Sequence, residues 1–388
     1  MRTEAPAAGG AAKHDLGGTL RGRDAAATLA WVRPFLSHFG ITRLANVTGL
    51  DRIGIPVWMC IRPNARSLSV SQGKGATDDL AQVSAVMESI EVFHAEHAPP
   101  PDLIAPYRDV RRRRAVLSPR ALKAGVRARD YHAGRNLAWL DGTDLATGEP
   151  LLLPHVRVSL DWSHPHPDAG LFQVTSTGLA SGNSRAEALC HALFEVIERD
   201  AEWRWDRMSA RAQRATEIDP GTVDTAHLQA LLDQLAKAEV SARMWDITSA
   251  VGVPAFSCEI ADAGPLGQLG PYSGYGCHLS REIALSRAIT EAVQSRLTVI
   301  AGSRDDMYPA SYVPRVRRAD RGHATAPPRH YHRVSAPPLG ATFDEDLRIT
   351  QRLLLAAGFD RVATVDLSRP EIGIPVVMVV VPGMREVD

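Results

Sequence analysis

Apolar positions along this chain follow two different periods, and the switches between them outline its elements. Three apolar runs each follow a Gly-x-Pro turn. Ile53-Gly-Ile-Pro-Val57 leads into Trp58–Ile61, Val251-Gly-Val-Pro-Ala255 into Phe256–Glu259, and Ile372-Gly-Ile-Pro-Val376 into Val377–Val381. Proline is tolerated at the first residue of a strand, and such runs fit a buried pleated surface, so each copy reads as a turn entering a strand. A wider match between Gly40–Val47 and Gly358–Val365 extends the first and last copies to two-stranded hairpins.

The second period is helical and also occurs three times. Ala81, Ser84, Ala85, Glu88 and Glu91 share their spacing with Ala188, His191, Ala192, Glu195 and Glu198, and with Ala284, Arg287, Ala288, Glu291 and Gln294. This spacing puts each set on one stripe of an α-helix. Paired glutamates usually mark a solvated face. Like charges at this spacing cost about a few tenths of a kcal/mol per pair, however, and repeating them calls for a compensating cation. A hard ion such as Mg2+ takes carboxylate oxygens and commonly arrives with phosphates. The alanines would let a backbone or a ligand approach closely. Each helix follows a glycine-containing stretch, Ser71–Gly75, Thr177–Asn183 or Ser273–Gly276, read here as loops whose amides favour an anion, with Lys74 adding charge. None has the Walker spacing, which excludes a P-loop. Ala25–Phe39 and Leu228–Val240 read as ordinary packing helices.

Composition narrows the class. The 388 residues are 45% hydrophobic with a formal net charge of zero, so a full core can form and no global field recruits nucleic acid or an anionic membrane. Cys60, Cys190, Cys258 and Cys277 are dispersed, as expected for packed thiols in a reduced, cytoplasmic setting. No apolar run is long enough to cross a membrane. Residues 1–20 read as a disordered tail, and 21–388 as one domain with inserted loops near 98–125 and 313–338. His164 with His166, and His330 with His332, have metal-like spacing but read as surface loops, because they sit among prolines without cysteine or acidic neighbours. The basic Arg111–Arg114 and the Arg/His/Pro-rich Val313–Pro338 fit either solvated loops or guides for a peptide.

The motif Ser84-x3-Glu88-x2-Glu91, the stretch Ser176–Asn183 with Glu187, His191 and Glu195-Val-Ile-Glu-Arg-Asp200, and Arg287-x3-Glu291-x2-Gln294 together resemble the signature of the YcaO family. The similarity runs from about Gly40 to the C-terminus. It implies an α/β (α+β) fold of mixed sheets flanked by helices, here with a pseudo-repeated strand, glycine turn and acidic helix, that binds ATP and Mg2+. Carried over by position, Glu88, Glu195, Glu198 and Glu291 would face the metal, with Glu91 in the same acidic pocket. Lys74, Ser84, Asn183, Glu187, Arg199 and Arg287 would contact nucleotide, with Gln294 beside them. Glu88, Glu195, Arg199 and Arg287 would be the catalytic set. His191 takes the stripe position of Ser84 and Arg287, which suits either a ligand-facing or a packing role. Arg23 and Thr28 correspond to a further ATP-contacting segment.

Family chemistry would be attack of a peptide-amide oxygen on the γ-phosphate, followed by addition of a nucleophile and loss of phosphate. The chain lacks the Pro-x-Pro-x-Pro ending of azoline-forming members and is similar to members paired with TfuA, which implies thioamide formation with an external sulfur donor. Cyclodehydration at Cys, Ser or Thr is the alternative, and a non-catalytic nucleotide-binding scaffold is an alternative of another class. A peptide substrate, a TfuA-like partner that presents it, and a homodimer are the assemblies this resemblance implies.

Overall fold

The computed structural model describes residues 13–163, 168–262, 270–308 and 327–386. Its architecture is α/β, with several sheets and flanking helices, and the named strand pairs are all antiparallel.

Three units built to one plan dominate. In the first, β1 (Arg43–Asn46) pairs with β2 (Val57–Ile61), β2 pairs with β3 (Val70–Lys74), and β3 runs into helix α1 (Asp78–Glu96). The second unit keeps only its last strand and helix together in sequence, as β4 (Leu179–Ser181) and α2 (Arg185–Asp206). The third is contiguous: β5 (Val240–Asp246), β6 (Ala255–Asp262), β7 (Tyr272–Cys277) and α3 (Arg281–Ala301). The missing hairpin of the second unit comes from the far end of the chain. There β8 (Ala363–Asp366) pairs with β9 (Val376–Val380), and β9 lies against β4 with Val376 opposite Ser181 and Met378 opposite Leu179.

All three copies, including the middle one, are hairpins, and the turn chemistry explains why. Asn46, Asp246 and Asp366 each accept a hydrogen bond from the amide two residues ahead, on Thr48, Thr248 and Ser368. Those hydroxyls in turn accept from the amides of Val57, Ala255 and Val376 at 3.0–3.1 Å. The intervening Gly54, Gly252 and Gly373 have φ of +81°, +79° and +76°, a conformation other residues adopt at a cost.

The alanine stripes turn toward the helix's own strand. A Cβ on Gly73 would lie 2.0 Å from the Ala85 amide nitrogen, and one on Gly276 would lie 2.1 Å from the Ala284 carbonyl oxygen. Gly73, Gly274 and Gly276 are therefore strand residues that admit a helix backbone, not the phosphate-cradling turns expected from sequence. Thr77, Ser184 and Ser280 cap the three helices with their side chains. Each helix also packs against the last strand of the next unit: α1 on β4, α2 on β7 and α3 on β3. The three units thus close into a ring.

Several expectations change outside the ring. Residues 13–20 are not a loose tail. His14–Asp15 pairs with Leu20–Arg21, and Lys13 is salt-bridged to the buried Asp346, so that segment is tied down by charge; residues 1–12 lie outside the described residues. The stretch near 98–125 carries an ordered strand, Leu103–Pro106, on the edge of the largest sheet, and its Arg114 pairs with Asp141. Of the second loop, 313–326 falls outside the described residues, while Tyr331 beyond it is buried. His164 and His166 also lie outside them. His332 has an acidic partner after all, Asp224 at 2.9 Å. The four cysteines are buried and unbridged, and among the described residues no helix is long and apolar enough to cross a membrane.

Candidate active site

The ring leaves a cavity of about 890 Å3 between the three helices. Beside its alanines, each stripe turns its polar residues toward this space, so the helical period itself delivers Ser84, Glu88 and Glu91, then His191, Glu195 and Glu198, then Arg287, Glu291 and Gln294 to one cavity. Lys74, Asn183, Glu187, Arg199, Arg23 and Thr28 line the same cavity. Every candidate named from sequence is therefore brought together.

The contacts pass from unit to unit. Glu91 on α1 accepts from the Ser181 amide at 2.8 Å and its hydroxyl at 2.7 Å, on the strand of the second unit. Glu291 on α3 accepts from Lys74 Nζ at 2.7 Å, on the strand of the first. Arg199 lies 3.5 Å from Glu198, 3.2 Å from Glu202 and 3.9 Å from Glu291, which ties α2 to α3. Glu195 accepts from the Gly178 amide at 3.1 Å. Glu187 accepts from the amides of Gly22 and Asn183, and Thr28 donates to Asn183 Oδ1 at 2.9 Å, so the N-terminal segment forms one wall. Arg23 is more peripheral, with its guanidinium 4.3 Å from the centre of the Trp31 ring.

Crowding buried carboxylates has an electrostatic cost, visible in their proton affinities. Burial pushes Glu91 up to about 8 and Glu195 up to about 7. Burial also raises Glu88 and Glu198. Burial acts on Glu291 in the same sense, but Lys74 and Arg199 outweigh it and hold that carboxyl below its ordinary value. The Arg199 guanidinium is held well above its ordinary value because Glu198, Glu291, Glu195 and Glu202 outweigh its burial. His191 is kept neutral by burial and by Arg287, and its Nε2 accepts from Arg287 Nη2 at 2.9 Å. That bond gives it a positioning contact within the cavity wall.

A hard cation fits this donor set. Glu88, Glu91, Glu195 and Glu198 are oxygen donors whose ionised forms are disfavoured as they stand, and a divalent ion would reverse that. Among the described residues no three acidic, histidine or cysteine side chains form a ready cage. Mg2+ does not need one, since it retains waters and takes phosphate oxygens. Gln294, which replaces the last glutamate in the third stripe, has a buried Oε1 with no hydrogen-bond partner among the described residues. Sequence reasoning missed Arg21, Ser181, Glu202 and Arg304, which also line the cavity. Glu202 lies one helical turn beyond Glu198 and was within reach of the spacing argument; Ser181 lies inside the Thr177–Asn183 stretch but was not singled out there, and Arg21 and Arg304 fall outside the repeat.

Comparison with known proteins agrees with this geometry. The chain is 35% identical over 383 residues to the "uncharacterized protein in tfuA 3′ region" of Rhizobium leguminosarum bv. trifolii, covering 94% of this chain and 88% of the relative. It is also 35% identical over 363 residues to an uncharacterized protein of Methanothermobacter thermautotrophicus, covering 90% and 91%. In fold it is similar to a structure described as YcaO from Methanopyrus kandleri bound with AMPPCP and Mg2+ (TM-score 0.75, 24% identity, 95% of this chain and 93% of that one). It is also similar to a heterocyclase in complex with substrate and cofactor (TM-score 0.80, 20% identity), covering 99% of this chain but 55% of that longer one. The family model described as YcaO cyclodehydratase, ATP- and Mg2+-binding, matches residues 72–385, which take in all three helices and the strands that seat them; the chain belongs to the YcaO family.

Proposed function

We propose that this protein activates a backbone amide of a peptide by ATP-dependent O-phosphorylation, and that the product is a thioamide. The observation that carries the first part is the convergence of carboxylates and guanidinium groups from three helices on one cavity. An amide oxygen is a poor leaving group, whereas a phosphorylated one leaves readily. In the proposed sequence the amide oxygen attacks the γ-phosphorus as the bond to the β-phosphate oxygen breaks, releasing ADP. A sulfide equivalent from an external donor then adds to the carbon, and the C–O bond breaks to release inorganic phosphate.

Most of the catalysis in such a transfer is positioning and charge compensation. Glu88, Glu91, Glu195, Glu198 and Glu291 would hold Mg2+, which would supply positive charge against the negative phosphates. Lys74, Ser84, Asn183, Glu187, His191, Arg199, Arg287, Gln294 and Arg23 would hold and orient the nucleotide. Arg199 and Arg287, already fixed by Glu198, Glu202 and His191, would carry charge toward the transferred phosphoryl group with little reorganisation.

The thioamide assignment is supported by the relative from a tfuA region, whose alignment covers most of both chains. A TfuA-like protein is the proposed partner, and the cytoplasm the proposed setting. Cyclodehydration at Cys, Ser or Thr is the second reading, favoured by the family's description. The intact mass of a candidate peptide co-expressed with this chain and its partner separates them. Exchange of oxygen for sulfur raises the mass, and loss of water lowers it. A non-catalytic scaffold would bind nucleotide without releasing phosphate when peptide is added.

A further inference from the structure

Arg304 belongs to none of the repeated motifs, yet it lines the cavity beside Glu88. The chain reaches it by a sharp reversal: α3 ends at Gly302, whose φ of +57° is left-handed, and the following turn folds back toward the site. That turn is anchored to the first unit at two points. Asp305 accepts from the Ser69 amide at 2.6 Å and its hydroxyl at 2.9 Å, and Ser303 Oγ donates to Met59 Sδ at 3.1 Å.

The guanidinium is itself oriented. Its Nε and Nη2 bind the two oxygens of Asp306 at 2.9 and 2.5 Å, and Nη1 has no protein partner among the described residues. Other cations lining the cavity are engaged differently: Lys74 is bound to Glu291, Arg199 lies among Glu198, Glu202 and Glu291, Arg287 is bound to His191, and Arg21 lies 3.7 Å from Glu187. Arg304 is fixed in a bidentate pair by Asp306, a carboxylate outside the candidate metal set, with one edge of its planar fork left over. A guanidinium edge suits phosphate oxygens, and an arginine supplied from the same chain is a recurrent stabiliser of phosphoryl transfer.

We infer that Arg304 contacts the terminal phosphoryl group of the bound nucleotide. The inference rests on the nucleotide reading above and adds to it a residue that no motif contains. If Arg304 served only to offset the charge of Glu88, its loss would affect nucleotides with and without a terminal phosphate alike.

Calorimetric titration of the full chain with Mg2+·AMPPCP and with Mg2+·ADP tests this, using the wild type, Arg304→Gln and Arg304→Lys. The glutamine variant is expected to bind Mg2+·AMPPCP roughly tenfold more weakly, as for loss of one charge-assisted hydrogen bond, with Mg2+·ADP unchanged. The lysine variant should fall between, with its ligand-free melting temperature unaltered. Equal losses for both nucleotides, or no loss, overturn the inference while leaving the nucleotide site standing. Failure of the wild type to bind Mg2+·AMPPCP overturns the nucleotide site and the inference together. Should the glutamine variant not fold, the lysine variant carries the same comparison.

Discussion

At the scale of single residues, Glu195 is the most exacting position. It is half-buried and accepts from the Gly178 amide, its proton affinity is raised to about 7, and it stands in the stripe that faces the cavity. Glu195→Gln keeps the shape and removes the charge, so peptide-dependent phosphate release should fall by about 100-fold or more with the fold retained, as measured in a coupled phosphate assay. The raised values of Glu91 and Glu195 also fix the sign of a pH effect. Both groups hold protons in the folded chain above the pH at which an unfolded carboxyl has lost them. Without metal, stability should therefore fall as pH rises from the ordinary carboxylate range toward about 8. Binding of Mg2+·AMPPCP should strengthen over the same rise and release protons, which shows in calorimetry as a dependence on the buffer's ionisation enthalpy.

At the scale of elements, the glycines separate two kinds of constraint. Gly276 faces helix backbone, with the Ala284 carbonyl oxygen 2.1 Å and the Ala288 nitrogen 2.6 Å from the site of a Cβ, so α3 would have to lift off its strand. Gly276→Ala should cost at least about 1–3 kcal/mol in urea unfolding. Gly54 has open space around it and is constrained by its φ of +81°; alanine there should cost about 1–2 kcal/mol and leave the cavity intact. These elements were legible from sequence because hairpin turns and helix stripes are local patterns. Glycine beside an alanine stripe was legible only as a loop, because a strand that needs glycine for close approach looks the same in sequence as a turn that needs it for its φ. Arg304 was invisible for a related reason: it reaches the cavity through a chain reversal that no periodicity records.

At the scale of the whole molecule, the order of the units was the part that sequence concealed. The second acidic helix has no hairpin motif before it, and the last hairpin motif has no helix after it. Each unpaired signal was the clue to the other, but strand partners distant in sequence leave no periodic trace. Since every helix leans on the strand of its neighbour, a ligand held by three helices should tighten strands that never touch it. Amide hydrogen exchange on adding Mg2+·AMPPCP should slow in β8 and β9 as well as in β3 and β7, although the C-terminal hairpin supplies none of the candidate residues. Protection confined to the helices would contradict the closed ring.

The pairing of β9 with β4 also sets when the cavity can exist. Helix α2 leaves the ribosome with one side of its supporting sheet unfilled, and that side stays open until Val376–Val380, about 170 residues beyond the helix, have been synthesised. A polypeptide interrupted before Val376 contains nearly all the chemical groups of the site but no seat to hold the middle set in place. Translation must therefore pass the β9 strand before the middle helix has its complete seat.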